Sequence, residues 1–465
     1  MAMHLSEASE ILDDRIDEFQ SLVQAHHNLE DAAFGNAANQ ATSEIIAVGR
    51  IASEALEGKL NASSLMLETS RRTGAGLRIP LKVESISYEF FPGQIVAVRG
   101  INASGLYFSV NEVLELPLLP PAASLPSTLD NSNERSGVDA ESTEGGRALN
   151  VLISSGPYTA DDNLAFEPLQ ALCEKAAESY ADVLIMIGPI FDLEHPLVAA
   201  GDFDLPDDPS IELDKATMND AFRILVGKHL REVALRVPSI TIILVPSSRD
   251  IINKHVSWPQ EPFEKKPLHL PRQVKIVTNP VTISLNEIVV SITAQDVLYD
   301  LRRDEVLVGR PSEPSLLSRL PRHVIQQRHF YPLFPPSDRT SLPKISTTEG
   351  IATGMPLDVS YLKLGEWWNA RPDMLITPSA LSPFAKVSTH LPKPNLRLTC
   401  CSKVVEDVLV VNPGPLSKRK GPGTYAQLSI HPRKVTSAER DCERAEGAMV
   451  GHQLFSRART DIVRI

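Results

Sequence analysis

The sequence predicts a two-domain α/β protein, with a small β-barrel and then a layered α/β core, preceded by an amphipathic helix. Five short strand-like runs follow one another between residues 44 and 118, with little helical pattern between them. From Leu149 onward, apolar runs alternate with helical periodicity in the order strand–helix–strand, which builds a layered sheet. Ahead of both, Leu12, Ile16, Phe19 and Val23 recur at helical spacing and fall on one face.

The helix is expected to pack its apolar stripe on the domain that follows, because such stripes usually bury. Met1 to Asp31 carries eight acidic residues and only Arg15 as a base, without the basic and apolar blocks of a secretory signal. Residues 1–43 are therefore read as helix and connector. The barrel candidates over 44–118 are Glu44–Ile51, Ser63–Glu68, Leu77–Val83, Gly93–Arg99 and Leu106–Leu116, which suits an OB-fold. Phe91-Pro92-Gly93-Gln94 is the turn that launches Ile95-Val96-Ala97-Val98. Residues 119–147 are rich in Pro, Ser, Asn, Glu and Gly with almost no apolar pattern, and predict a disordered loop or linker.

The second domain is expected over 148–431. Its first half reads as a strand at Val151-Leu152-Ile153, a helix over Leu164–Tyr180, a strand Val183–Ile187, a helix Ile211–Leu235 and a strand Ile240–Val245. Strand-like runs follow at Val274–Val277, Val281–Leu285 and Ile288–Ile292. A Pro-rich region read as irregular comes next, holding Pro311, Pro314, Pro321, Pro332, Pro335, Pro336 and Pro343. The sheet resumes at Met374–Ile376, Val408–Val411 and Thr424–Ile430. The extension 432–465, with seven bases and five acids, reads as helical or partly disordered.

Composition narrows the function. A net charge of −12 argues against the whole chain wrapping nucleic acid by phosphate neutralisation. No run of about 18 apolar residues is present to predict a membrane span. Cys173, Cys400, Cys401 and Cys442 form no C-x-x-C pair, which suits a reducing compartment, cytosol or nucleus, and Cys400-Cys401 reads as a buried pair of thiols beside a strand. No phosphate loop, His-Glu-x-x-His or Gly-x-Ser-x-Gly motif occurs. Residues 44–118 carry seven Arg or Lys against eight Asp or Glu, so no basic groove is evident, and Tyr88, Phe90, Phe91, Tyr107 and Phe108 read as core rather than as stacking platforms. Lys418-Arg419-Lys420 is a short basic loop, read first as a solvated turn and second as a weak nucleic-acid contact.

Three sets of residues carry a family resemblance. They are Phe91-Pro-Gly-Gln-Ile-Val-Ala-Val-Arg-Gly-Ile-Asn102; Leu152-Ile-Ser-Ser-Gly-Pro-Tyr-Thr159 with Ile187-Gly-Pro-Ile-Phe-Asp192 and His195; and Val245-Pro-Ser-Ser-Arg-Asp250, Tyr331-Pro-Leu-Phe-Pro335, Leu375-Ile-Thr-Pro-Ser379 and Val411-Asn-Pro-Gly414. In order and spacing the chain resembles the regulatory B subunits of DNA polymerase alpha from about residue 10 to 431. The B subunits of polymerases delta and epsilon share the architecture. The resemblance implies an OB-fold inserted into a calcineurin-like phosphoesterase domain. It also implies a nuclear location and partners in the catalytic subunit, through its zinc-containing C-terminal domain, and in primase. Contact with DNA would be mostly indirect.

Active phosphoesterases of that fold hold two metals between carboxylate and imidazole ligands at strand ends. Aligned with their motifs, Ser155 and Pro157 stand for Asp-x-His; Gly188, Pro189 and Asp192 for Gly-Asp-x-x-Asp; Ser248, Arg249 and Asp250 for Gly-Asn-His and its acid; and Thr377-Pro378-Ser379-Ala380 for Gly-His-x-His. Proline offers no donor atom and arginine cannot ligate a metal. The expectation is therefore a scaffold with no cofactor, no metal and no catalytic residue, in which Asp192, His195 and Asp250 tie loops and Arg249 pairs with Asp250. An active metallophosphodiesterase and a single-stranded-DNA-binding OB protein are the competing readings.

Overall fold

The computed structural model describes residues 3–54, 59–84, 86–135, 147–206, 215–253, 257–310, 313, 315–336, 357–367, 369–386, 404–419 and 421–465. Two compact units emerge. Of the described residues, the first gathers those within 1–119, 297–336 and 357–369, and the second those within 120–296 and 370–465. Residues 297–336, which the sequence places inside the second domain, thus belong with the barrel.

In the first unit, the strands Ile45–Ser53, Leu65–Glu68, Arg78–Lys82, Phe108–Leu114 and Ile95–Ile101 close into a barrel in that spatial order. All five sequence-predicted strands are present. Closure removes the free edges that an open sheet would expose. Alternate residues point inward, as the two-residue strand period requires. Ala47, Ile51, Leu65, Leu67, Ile79, Leu81, Val96, Val98 and Phe108 fill the interior. Ile46, Val48, Ile95 and Ala97 face the other way, onto the helix Leu5–His27, which buries Ile16, Phe19 and Val23 against them.

The Pro-rich region is not irregular throughout. It holds a helix Leu316–Gln326, and just ahead of it lie a helix Val297–Asp304 and a strand Val306–Val308 paired with Tyr88–Phe90. Leu320 and Val324 recur four residues apart on the buried face, and that periodicity outweighs Pro321, which costs the second turn one backbone donor. Pro311, Pro314 and Pro343 lie outside the described residues. The Gln327 side chain accepts from the backbone N–H of Ile95 and donates to its carbonyl, both at 2.9 Å, so it completes the barrel strand as a further strand residue would.

His329 sits in this unit at 1% exposure. Its Nδ1 accepts from the Tyr331 N–H at 2.9 Å, and its Nε2 donates to the Leu362 carbonyl at 3.1 Å. Both bonds are made by the neutral imidazole. Burial above all, and then the charge of Arg15, push its pKa down to about 3. The unfolded chain, near 6.5, therefore binds the proton first on acidification. The contribution is complete above pH 6.5 and is lost as pH falls toward 3. We expect about 2 kcal/mol to be lost by pH 5, seen as a smaller pH-dependent drop in Tm for His329→Gln than for the native protein. Equal drops would reject the assignment.

The second unit layers two sheets. One has the order Val274–Ile276, Thr241–Val245, Val183–Ile187, Leu149–Ser155, Thr424–Ile430, Ala458–Arg464. Its first four strands are parallel, and the last two are antiparallel to their neighbours. The other runs Val281–Leu285, Ile288–Ile292, Met374–Ile376, Val408–Asn412, Phe384–Lys386. Val151, Ile153, Val183, Ile185, Ile243 and Val245 face the second sheet's Val290, Ile292, Met374, Ile376, Leu409 and Val411. Leu152, Leu184, Met186, Ile242 and Leu244 face the helices Glu167–Glu178, Met218–Leu225 and Gly227–Arg236. Both faces of the central strands are covered, which is why they read as unbroken apolar runs. The single helix expected over Ile211–Leu235 is two, broken at Val226, with Thr217 capping the first.

Within 119–147, where composition predicts no element, the structure places the short strand Ala123–Ser124 and the helix Pro126–Arg135; residues 136–146 lie outside the described residues. The helix buries Pro126 and Leu129 and otherwise attaches through polar groups, with Ser127 bonded to Glu443 and Asp130 paired with Arg440. A polar composition thus concealed an element held by side-chain bonds rather than by an apolar stripe. The extension 432–465 contributes the helix Ser437–Glu446 and the edge strand Ala458–Arg464.

Candidate functional site

The parallel strands of the second unit end together, and the loops beyond their carboxyl ends gather most of the sequence-predicted positions. Ser155 closes its strand at 2% exposure, and its Oγ donates to the Gly414 carbonyl at 2.7 Å. Pro157 follows through a cis bond, and its carbonyl accepts from the Ser417 N–H at 3.0 Å. Gly188 and Pro189 take the same cis form after the next strand. A Cβ on Gly188 would come within 2.4 Å of an Asp250 carboxylate oxygen and 2.7 Å of Ser247, so the close approach of these two loops depends on glycine.

Asp250 is fully committed to backbone. Its Oδ1 accepts from the N–H groups of Ile190 and Phe191, and its Oδ2 from Ser247 at 2.8 Å. Burial pushes its carboxyl up to about 7, against the three donors that favour the charged form. The expected Arg249–Asp250 ion pair is not what forms. The Arg249 guanidinium reaches instead to Asp192, through Nε at 3.2 Å and through Nη2, and to the Glu194 carboxylate at 3.1 Å. Three backbone donors turn the Asp250 carboxylate inward, in a turn closed by its own N–H on the Ser247 carbonyl at 3.0 Å. The carboxylates of Asp192 and Glu194 are 9% and 5% exposed, so the guanidinium is the counter-charge for two buried acids.

Glu194 is the residue that sequence reasoning passed over. The only available signal was its place two residues after Asp192. His195 lies at 4% exposure with Nε2 on the Ala160 carbonyl at 2.8 Å, and its Nδ1 has no protein partner among the described residues. Ser248 is half-buried. Ser379 donates its N–H to Asn412 Oδ1 at 3.0 Å, and the buried Asn412 amide also donates to the carbonyls of Ser379 and Leu381. Asn412 thereby fastens the loop after Met374–Ile376 in place.

Lys418 and Arg419 sit on a separate exposed hairpin. Arg419 Nε stands 4.0 Å from Asp161, and Lys420 lies outside the described residues, as do Cys400 and Cys401. In the barrel, Tyr88, Phe90, Phe91 and Phe108 are buried as expected of core, while Tyr107 is 38% exposed with Lys82 Nζ 5.0 Å from its ring centre. Among the described residues, one group of potential ligand atoms converges within 4.8 Å, from Glu89, Glu305 and His323 in the first unit. Both oxygens of Glu305 are already held by Arg319, at 2.8 and 3.0 Å. No described helix is long and apolar enough to cross a membrane.

Comparison with known proteins agrees with this architecture. Residues 151–386 match the family of DNA polymerase alpha/epsilon B subunits, and residues 9–116 match the OB domain of the DNA polymerase alpha B subunit. All of the chain aligns with the DNA polymerase alpha B subunit of Schizosaccharomyces pombe at 33% identity, covering 72% of that protein. The corresponding protein of Saccharomyces cerevisiae aligns at 34% identity over all of the chain and 64% of its own length. That of Bos taurus aligns at 27% identity over 89% of the chain and 60% of its length. Two solved structures align over 60% and 68% of the chain, at 14% and 12% identity, with TM-scores of 0.25 and 0.28. With the barrel and the layered core both inside matched regions, the chain belongs to the family of DNA polymerase alpha B subunits.

Proposed function

We propose that this chain is a non-catalytic accessory subunit of the DNA polymerase alpha–primase assembly, working in the nucleus. In this role it grips the zinc-containing C-terminal domain of the catalytic subunit and tethers primase beside it. The observation that carries the reading is the unbroken likeness to polymerase alpha B subunits along the whole chain. The mechanism is positional. Holding two active sites in one assembly raises the effective concentration of one near the other's product, and needs no chemistry from the tether.

The state of the cleft supports the non-catalytic part. A pair of divalent ions needs several free carboxylate or imidazole donors. Here Ser155 spends its hydroxyl on a carbonyl, and Asp250 spends both oxygens on backbone donors. Asp192 and Glu194 share a guanidinium that occupies the space between them. This donor set does not fit two metals, and we assign it no hydrolytic step.

Co-purification of the full chain with the C-terminal domain of the catalytic subunit tests the reading. A stable stoichiometric complex is expected, with no divalent metal by elemental analysis and no turnover of a simple phosphodiester. Failure to associate would reject the tethering role, and turnover with bound metal would reject the non-catalytic one.

A further inference from the structure

A second cluster of chemically capable side chains lies in the second unit, away from the strand-end cleft. Ser124 Oγ stands 2.8 Å from His452 Nε2, and His452 Nδ1 stands 2.6 Å from Asp373 Oδ2. The three residues come from distant parts of the chain. Ala123–Ser124 pairs with Val450–Gly451, setting Ser124 opposite Val450, two residues before His452. The Pro120 carbonyl accepts from the Arg371 N–H at 2.9 Å, and the Ala122 N–H reaches the Arg371 carbonyl at 3.2 Å, which brings the same segment alongside Asp373. Asp373 itself is pinned. Its N–H donates to the Val289 carbonyl, its own carbonyl accepts from Leu409, and Oδ2 accepts from the Val289 N–H at 2.8 Å.

The Asp373 carboxylate is an acceptor, so His452 Nδ1 carries a hydrogen toward it. In the neutral imidazole the lone pair of Nε2 then faces Ser124, and the hydroxyl can donate to it. His452 and Asp373 are 2% and 8% exposed, while Ser124 is half-buried and the next residue, Leu125, is 36% exposed. The base is thus shielded, and Ser124 as a residue keeps part of its surface exposed. Nucleophile, base and orienting acid stand in hydrogen-bond contact, which is the arrangement that activates a serine. No Gly-x-Ser-x-Gly surrounds Ser124, so a motif search passes it by.

We propose that Ser124 is an activated nucleophile that accepts acyl or phosphonyl groups from small activated esters, with His452 as its general base and Asp373 orienting the imidazole. In acylation the Oγ–carbon bond forms and the bond from that carbon to the ester oxygen breaks. The hydroxyl proton passes to His452 Nε2 and from there to the departing alkoxide. With a fluorophosphonate the Oγ–phosphorus bond forms, the phosphorus–fluorine bond breaks, fluoride leaves, and the proton goes through His452 to solvent.

The test treats the full-length protein with a biotinylated fluorophosphonate and locates the label by mass spectrometry. Ser124 is expected to be modified faster than any other serine, with the label lost in Ser124→Ala and in protein unfolded by urea, where the three side chains separate. His452→Asn, if it folds, is expected to slow modification by about 100-fold or more. Absence of label at Ser124 in the native protein, equal labelling in urea, or a folded His452→Asn that reacts at the native rate would each overturn the assignment. Should His452→Asn fail to fold, the native-versus-urea comparison decides alone.

Discussion

Replacing Arg249 by alanine is expected to cost about 3–5 kcal/mol of stability at neutral pH, because it removes the cation that two buried carboxylates share. Asp192 and Glu194 are at most 9% exposed and lie on the same loop, with one guanidinium hydrogen-bonded to Asp192 and 3.1 Å from the Glu194 carboxylate. Without that cation the two carboxylates repel each other in a poorly solvated space, which favours proton uptake or an outward swing. The Tm of the second unit should fall on the order of 10 °C. Two further variants separate charge from packing. Arg249→Met keeps an apolar stem without the charge and should be as unstable as the alanine variant. Arg249→Lys keeps the charge but not the fork, and should recover part of the loss. Millimolar Mn²⁺ should raise the Tm of Arg249→Ala and leave the native protein unchanged, since a divalent cation can replace the missing counter-charge. If methionine alone restores stability and manganese does nothing, the guanidinium is a space-filler and its electrostatic role is refuted.

Those same residues show how far the sequence could be read. The strand Val183–Ile187 was legible to the residue, because a strand covered on both faces is an unbroken apolar run. The helix Leu316–Gln326 was hidden among prolines, whose local signal outweighs a modest periodicity until the buried face is seen. In the cleft, Arg249 could be picked out as chemically odd for a metal site, but its partners could not. Choosing among Asp192, Glu194 and Asp250 requires knowing that three backbone N–H groups had already claimed Asp250. The Ser124–His452 and His452–Asp373 contacts span 328 and 79 residues, and nothing local in the chain marks them. Local periodicity fixes elements, whereas side-chain pairing across loops depends on which groups are left unsatisfied after the backbone has been served.

Arg319→Ala should be comparably costly in the first unit, and its pH dependence should identify the cause. Glu305 and Arg319 are 3% and 6% exposed and joined by two bonds at 2.8 and 3.0 Å, with His323 Nε2 2.9 Å from the same carboxylate. Burial opposes ionisation of Glu305, but the bonds from His323 and Arg319 outweigh it and hold its carboxyl below the usual range. In the native protein this pair therefore stabilises above the unfolded value near 4.3, and the contribution fades as pH falls through the lower folded value. Removing the guanidinium leaves the His323 contact as the main opposition to burial, so the carboxyl of the variant rises from its native position and its folded form takes up the proton more readily. The deficit, about 3–5 kcal/mol at pH 7, should then shrink steadily on acidification toward pH 5. Adding Glu305→Gln to Arg319→Ala removes the buried charge and should recover part of the loss at pH 7, with little pH dependence remaining. A deficit that stays constant across this range, with no rescue by glutamine, would mean that Arg319 contributes through its packed stem and not through its charge.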